Sequence, residues 1–159
     1  MSKTIYLDPG HGDRDSGAVN GKRWEKTDNL KLAKAVKEKL IAQGHIVLMT
    51  CETDDANPVL ASRIGAANAA KADIFVSLHR NSAAKMDSKG NPIIVNGAYV
   101  LDPLPKGIEI WVRYSNHTSA AGEVLDKLAK VPHQSNRGVK TGAYKVLYNA
   151  KMPAMLVEL

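Results

Sequence analysis

The sequence has a single cysteine, a single phenylalanine and no long apolar run. One cysteine cannot form an internal disulfide or a cysteine-based zinc site, and Cys51 follows an apolar run at residues 46–49, where a buried free thiol is expected. No stretch approaches the roughly 20 apolar residues of a membrane span, so membrane insertion is not expected. Aromatic residues make up 5% of the chain. This content gives little support to a stacking surface for single-stranded nucleic acid.

Several common functional motifs are also missing. The sequence has no G-x-G-x-x-G, no G-x-x-x-x-G-K-[ST] and no G-x-S-x-G, which argues against the usual dinucleotide, nucleoside triphosphate and serine-nucleophile sites. Asp13, Asp15 and Gly17 are similar to the start of a calcium loop. However, Trp24 stands where the bidentate glutamate should be, and the glycine comes one position early. We therefore reject an EF-hand.

The length and composition of the chain fit one ordinary folded domain. The 159 residues are 44% apolar and 24% charged, close to the average for globular domains. The net charge of +6 favours an anionic partner such as nucleic acid, a membrane surface or an acidic polymer of the cell wall. The sign of the charge alone does not distinguish these three partners. The N-terminus enters a strand-like run without a secretory apolar region, so synthesis in the cytoplasm without a signal peptide is expected.

Strand and helix patterns alternate along the first half of the chain. Residues 3–7, 45–50 and 73–79 are predicted strands, and residues 28–44 and 57–72 are predicted helices. The first helix has Thr27 or Asp28 as its expected N-cap and Gly44 as its expected C-cap. Its predicted apolar face consists of Leu30, Ala33, Val36, Leu40 and Ile41. This alternation predicts a single α/β domain with a twisted, mostly parallel sheet and helices on both faces.

The second half is less regular. Residues 82–107 contain Asn-Gly, Asp-Pro and Lys-Gly breaks around two short apolar runs, which predicts an excursion containing a hairpin. A strand at 107–114 and a helix at 119–131 follow. A basic loop, a short run at 144–148 and a final apolar strand at 153–159 complete the chain.

Chemically capable side chains follow three of the predicted strands. His11 lies just after the first strand, His79 ends the third and Glu158 ends the last, while Glu25 stands at the approach to the first helix. The carboxyl ends of parallel strands meet at one edge of a sheet. Two imidazoles and a carboxylate are a common zinc shell that leaves a position for water. We therefore predict that His11, Glu25 and His79 bind Zn²⁺ and that Glu158 is the general base.

Each of these residues also has a purely structural explanation. His11 can be a turn residue, His79 a hydrogen-bonded core histidine and Glu25 a solvated charge at a helix start. Glu158 follows an apolar run, where an unpaired carboxylate is rarely buried, although a position so near the chain end can leave it exposed. The remaining histidines, His45, His117 and His133, are expected at the surface because they lie in apparent loops.

Five elements together carry a family resemblance. They are DPGHG with His11, Glu25 ahead of the first helix, the helix with Arg63 and Ala66-Ala67-Asn68, SLHRNS with His79, and PAMLVE with Glu158. In this order they resemble the zinc-dependent N-acetylmuramoyl-L-alanine amidases of the amidase-3 type, across nearly the whole chain. The resemblance implies a six-stranded sheet and a shallow zinc groove.

The resemblance also implies the reaction and its partners. Members hydrolyse the amide between N-acetylmuramic acid and the L-alanine of the stem peptide in peptidoglycan. The resemblance makes His11, Glu25 and His79 the zinc ligands and Glu158 the catalytic glutamate. Arg80 and Asn81 are candidates for binding carboxylates or amides of the stem peptide, and Arg80 can equally pair with a local acid. The basic charge then suits wall carboxylates and phosphates, so nucleic acid is not needed to explain it.

Family members continue beyond the catalytic glutamate into a final helix, whereas this sequence stops at Leu159. Residues 1–159 are therefore expected to be a monomeric catalytic domain, shortened at its C-terminus and without a separate wall-binding domain. Because it shows no signal peptide, the chain is similar to a phage endolysin, which reaches the wall after release. A mature exported enzyme is the alternative. Two other functions remain open: a non-catalytic wall-binding domain, and a different metal-dependent peptidase or deacetylase acting on peptidoglycan.

Overall fold

The computed structural model describes residues 1–102, 106–132 and 134–159. Within these residues the helices are α1 (Glu25–Ala42), α2 (Leu60–Ala69) and α3 (Thr118–Leu128), with 3₁₀ turns at Ser115–His117 and Lys145–Leu147. The strands are β1 (Thr4–Pro9), β2 (Val19–Asn20), β3 (Arg23–Trp24), β4 (Ile46–Met49), β5 (Ile74–His79), β6 (Ile94–Val95), β7 (Ala98–Tyr99), β8 (Ile108–Val112), β9 (Asn136–Thr141) and β10 (Ala154–Glu158).

Six of these strands form the central sheet, in the order β4-β1-β5-β10-β8-β9. Strands β4, β1, β5 and β10 are parallel neighbours, β8 runs antiparallel to β10, and β9 is parallel to β8. The predicted α/β class and the mostly parallel six-stranded sheet are confirmed. The parallel arrangement brings the carboxyl ends of β1, β5 and β10 to one edge of the sheet.

Alternating side chains of the sheet bury two apolar layers. Tyr6, Phe75 and Leu156 point to one face, where they pack with residues of α2 and the 3₁₀ turn at Lys145–Leu147. The opposite face carries Ile5 and Leu7 against α1, and the β8 and β10 side chains against α3. Successive residues of a strand face opposite sides, so this two-sided burial explains the near-continuous apolar runs of β1 and β10. The prediction of helices on both faces is confirmed.

Helix α1 begins three residues earlier than its predicted start at residue 28. Trp24 is its N-cap and Gln43 its C-cap, so the predicted caps Thr27 or Asp28 and Gly44 were wrong. The side chains of Thr27 and Asp28 instead bind Asp54 and Arg23. The buried stripe of α1 is Glu25, Asn29 and Ala33, whereas the predicted face residue Ile41 is 49% exposed. Polar residues four positions apart therefore occupy part of the buried face that the prediction gave to apolar residues.

Strand β9 lies where a basic loop was predicted. It is an edge strand with four half-buried residues flanked by exposed ones, and its pairing with β8 shifts register between Ile108 and Ile110. Gly138 in β9 has φ of +91°. An irregular edge strand rich in polar residues lacks the alternation from which strands are recognised.

Other expectations have mixed outcomes. The predicted hairpin is confirmed, because β6 and β7 pair antiparallel, and Cys51 is buried as expected. His45 and His117, expected at the surface, are half-buried, and His133 lies outside the described residues. No helix in the described ranges is long and apolar enough to cross a bilayer.

Phe75 offers a test of the sheet core. Its side chain is fully buried between β1, β10 and α2, so Phe75→Ala is expected to lower the free energy of unfolding by about 3–5 kcal/mol. Urea denaturation of the variant measures the loss. Val59→Ala is the control because Val59 is 70% exposed, and a similar loss in both variants would contradict this packing.

Candidate metal centre

His11, Glu25 and His79 form a tight cluster at the carboxyl edge of the sheet. Each offers one ligand atom, and these atoms lie within 4.8 Å of one another. The Glu25 carboxylate lies between the two rings: Oε2 is 3.2 Å from His11 Nε2 and Oε1 is 3.1 Å from His79 Nδ1. The ring centroids are 4.9 Å apart. Two imidazoles and a carboxylate at this spacing can hold a divalent metal such as zinc.

The loop after β1 presents His11 in an unusual backbone conformation. His11 has φ of +67°, a region that non-glycine residues seldom occupy. Asp15 Oδ2 lies 2.9 Å from His11 Nδ1, which fixes the ring so that Nε2 faces Glu25. A carboxylate behind a histidine is the usual orienting partner of a metal ligand.

Two glycines make room for the cluster. A Cβ at Gly10 would overlap the His79 ring, and a Cβ at Gly17 would lie 2.6 Å from Glu25 Oε2 and 2.7 Å from the His11 ring. Both contacts are far closer than carbon atoms tolerate. The glycines around His11 in DPGHGDRDSG therefore serve close packing at this site as well as chain turning.

Glu25 is the first residue of α1 and is 6% exposed. Its carboxylate accepts hydrogen bonds from the backbone amides of Ala18 (2.9 Å) and Arg80 (3.0 Å) and from Asn29 Nδ2 (3.3 Å). Burial raises the pKa of Glu25. Hydrogen bonds from His11, His79 and the backbone amides of Ala18 and Arg80 outweigh burial and hold the pKa far below its usual range. Glu25 is thus an ionised, fully engaged carboxylate.

The hydrogen bond with Glu25 is also the main cause of the perturbed pKa of His11. It raises the pKa of His11 to about 9, against the opposing effect of burial and with further help from Asp15. In the metal-free protein His11 is therefore protonated at neutral pH. A metal ion that bound His11 would have to displace that proton, because a ligating imidazole is neutral.

A buried ion pair lies beneath the His11 loop. Asp8 is 1% exposed and Arg63 is 2% exposed, and Arg63 Nη1 donates to Asp8 Oδ1 at 2.8 Å. The same guanidinium donates to the carbonyls of Pro9 (2.8 Å), His11 (3.0 Å) and Pro58 (2.8 Å). Arg63 thereby ties the backbone that carries His11 to helix α2.

Glu158 lies beside the cluster on the adjacent strand. It pairs in register with His79 across β10 and β5, and both residues line the same cavity. Burial raises the pKa of Glu158, the charges of Glu25 and Glu109 raise it further, and His79 opposes them. Glu158 is half-buried, so the exposure left open by its position near residue 159 does not occur.

One cavity of about 560 Å³ contains all six residues that the sequence singled out. Arg80 and Asn81 line it next to His79. Arg80 Nε lies 3.1 Å from Asp28 Oδ2, so the pairing with a local acid occurs, and the Arg80 side chain remains 43% exposed. Asn81 Nδ2 is buried and has no hydrogen-bond partner among the described residues.

Sequence reasoning missed the residues that support the cluster. Asp15, Asn29, Asp8 and the role of Arg63 were not predicted. Asn29 lies one helical turn after Glu25, and an i, i+4 pair of polar residues on a buried helix face is the pattern that could have revealed it. The Asp8–Arg63 pair joins residues 55 positions apart, so no local pattern indicates it.

An α/β sheet with imidazoles and a carboxylate gathered at its carboxyl edge is typical of metallohydrolases. The family model described as N-acetylmuramoyl-L-alanine amidase matches residues 5–159. The chain therefore belongs to the N-acetylmuramoyl-L-alanine amidase family, as its sequence motifs suggested.

Known relatives agree with this assignment. The chain is 34% identical to the N-acetylmuramoyl-L-alanine amidase LytC of Bacillus subtilis over 99% of its own length and 29% of LytC. It is 35% identical to the endolysin of Bacillus phage SPP1 over 99% of its length and 54% of the endolysin. Among solved structures, an N-acetylmuramoyl-L-alanine amidase from Clostridium difficile 630 superposes with a TM-score of 0.80 at 30% identity, covering 99% of this chain and 78% of that one.

The Arg63 network yields a stability prediction. Arg63→Met leaves the Asp8 carboxylate buried without its cation, so the free energy of unfolding is expected to fall by about 3–5 kcal/mol. Urea denaturation measures the fall. Combining Arg63→Met with Asp8→Asn should recover part of it, because the buried charge is removed, and strictly additive losses would contradict this pairing.

The raised pKa of His11 predicts proton release on zinc binding. Because the pKa of His11 is raised to about 9, zinc binding through His11 at pH 7 should release about one proton from it, and the apparent affinity should rise about tenfold per pH unit up to about pH 9. Titration calorimetry in buffers of different ionisation enthalpy measures the protons released. His45→Gln, outside the cluster, should leave the number unchanged; zinc binding at pH 7 without proton release would refute the His11 assignment.

Proposed function

We propose that this chain hydrolyses the amide between N-acetylmuramic acid and L-alanine in peptidoglycan. In this proposal His11, Glu25 and His79 hold a zinc ion, Glu158 is the catalytic glutamate, and Arg80 and Asn81 contact the substrate. Residues 1–159 act as one monomeric catalytic domain. The family match over residues 5–159 supports the reaction, and the relationship to a phage endolysin supports action at the cell wall.

The observation that carries the proposal is the pairing of Glu158 with His79. Their strands are parallel neighbours, so the two side chains leave the same edge of the sheet side by side. A proton-transferring carboxylate next to a metal-binding cluster, in one cavity, is the pair of functions that amide hydrolysis requires. A domain that only binds the wall needs neither the carboxylate nor the metal-binding cluster.

The donor set fits zinc. Two imidazoles with one carboxylate match its preferred nitrogen and oxygen ligands, the glycines at 10 and 17 leave the space, and Asp15 orients His11. When bound, zinc supplies a Lewis acid that polarises the scissile carbonyl and makes water acidic enough to react near neutral pH.

In this proposal Glu158 transfers the proton during hydrolysis. Glu158 is flanked by His79 and opposes Glu109 in the β10–β8 pairing. Its carboxylate takes a proton from the attacking water and delivers it to the departing alanine nitrogen, which must leave as an amine. The carboxylate is half-buried, so competition from bulk water is reduced.

The charge of the chain suits this substrate. A net charge of +6 favours approach to a wall rich in carboxylates and phosphates. The cavity places Arg80 and Asn81 beside the cluster, where a guanidinium and an amide can bind the carboxylate and amide groups of a stem peptide.

Digestion of purified peptidoglycan tests the proposal. With zinc, the protein should release free L-alanine amino groups and no new reducing sugars, and a chelator should stop the release. Glu158→Gln should lower the rate by at least about a hundredfold with zinc still bound, because the proton transfer is lost. Glu123→Gln, an exposed carboxylate of α3, is the control and should keep full activity.

The alternatives give different products. New peptide ends other than L-alanine would assign a peptidase, and release of acetate would assign a deacetylase. Binding to the wall with zinc present but no new ends would leave a non-catalytic wall-binding domain. Any of these results would overturn the amidase proposal.

A further inference from the structure

Two arginines converge on one carboxylate beside the candidate metal centre. Arg23 Nε lies 2.6 Å from Asp28 Oδ2, and Arg80 Nε lies 3.1 Å from the same oxygen. Two guanidinium groups thus share a single carboxylate partner at this point. An arginine pair bridged by a single acid is therefore electrostatically prepared for a second anion.

Both arginines make their closest contact with Asp28 through Nε rather than through a terminal nitrogen. Asp28 is the carboxylate that both guanidinium groups contact. The side chains of Arg23 and Arg80 are 60% and 43% exposed. A planar anion can reach these donors from solvent.

Both arginines line a second, smaller cavity that continues from the first. It has a volume of about 180 Å³ and shares Glu25, Arg80 and Asn81 with the cavity that contains the metal-binding cluster. Asn81 lines both cavities, and its Nδ2 is buried without a hydrogen-bond partner among the described residues. An unsatisfied buried donor is costly, and a ligand oxygen would satisfy it.

We propose that Arg23, Arg80 and Asn81 form a subsite for a free carboxylate on the peptide side of the scissile amide. The inference rests on the proposed function and adds the substrate form that the chain prefers. Where the second residue of the stem peptide is a glutamate with a free α-carboxylate, that carboxylate is the anion for the subsite, and an amide in its place is not. The subsite therefore distinguishes the acid from the amide.

The distances along the chain agree with this assignment. Two peptide residues span at most about 7 Å, so the α-carboxylate lies close to the bond that is cut. Arg80 directly follows His79, and its backbone amide donates to Glu25 Oε1 at 3.0 Å. The backbone of Arg80 is thus held directly beside the metal-binding cluster.

Two defined fragments test the proposal: N-acetylmuramoyl-L-alanyl-D-glutamate with a free α-carboxylate, and the same compound with that carboxylate amidated. The zinc-loaded protein should cleave the free acid with a kcat/KM about tenfold higher, because a charge-assisted bidentate contact is lost with the amide. In Arg23→Gln/Arg80→Gln the ratio should fall to about one. Since both substrates are measured on one preparation, a lower folded fraction does not change the ratio.

The control removes equal charge elsewhere. Lys34→Gln/Lys39→Gln takes two exposed cations from the outer face of α1 and should keep the preference. A loss of preference in this control would assign the effect to net charge and overturn the subsite. The fragments carry no teichoic acid, so a preference seen with them comes from the peptide carboxylate.

Failure of the subsite is separable from failure of the proposed function. Equal cleavage of both fragments by the unmodified protein would overturn the subsite and leave the amidase proposal intact. Cleavage of neither fragment, with other products from whole wall, would overturn the amidase proposal itself and the subsite with it. If the arginine variant loses affinity only for walls that retain teichoic acid, the arginines bind wall phosphates and the subsite is wrong.

Discussion

The buried Asp8–Arg63 pair is the constraint on which the site depends. Ion pairs in protein interiors stabilise little on balance, because desolvation offsets their attraction. Their value lies in fixed geometry. Arg63 reaches from α2 to the carbonyls of Pro9 and His11, while Asp8 also accepts from Ser77 at 2.7 Å and Thr50 at 2.7 Å. Strands β1 and β5, the chain after β4 and helix α2 are thereby joined directly beneath the loop that carries His11.

This network also explains how His11 stays at positive φ. A non-glycine residue in that conformation costs on the order of 1 kcal/mol or more and persists only where surrounding bonds hold it. The carbonyl of His11 is held by Arg63 at 3.0 Å and its ring by Asp15 at 2.9 Å. The strain is therefore balanced by bonds on both sides of the residue, and the imidazole faces Glu25 without further rearrangement.

The sequence allowed prediction of the sheet and of the residues that meet at its edge. Long apolar runs identify β1, β5 and β10, and the rule for parallel strands then brings His11, His79 and Glu158 together. Their ligand and catalytic roles stay predictions. The start of α1 and strand β9 could not be predicted, because tertiary partners decide them: Asp54 and Arg23 engage the expected cap residues. Strand β9 is held in the sheet by its pairing with β8 rather than by its own composition.

The first turn of α1 carries one residue of the candidate metal centre and one residue that contacts both arginines of the proposed subsite. Glu25 is the first residue of the helix and belongs to the candidate metal-binding cluster, and Asp28 lies nearly one turn later and contacts the two arginines. Had the helix begun at residue 28, as its cap residues suggested, Glu25 would lie in a loop and lose its fixed relation to Asp28. The earlier start places both carboxylates on one rigid element, about 4.5 Å apart along the helix axis. A shift of α1 against the sheet would therefore move Glu25 and Asp28 together and change their distances to His79 and Arg80, which the sheet carries.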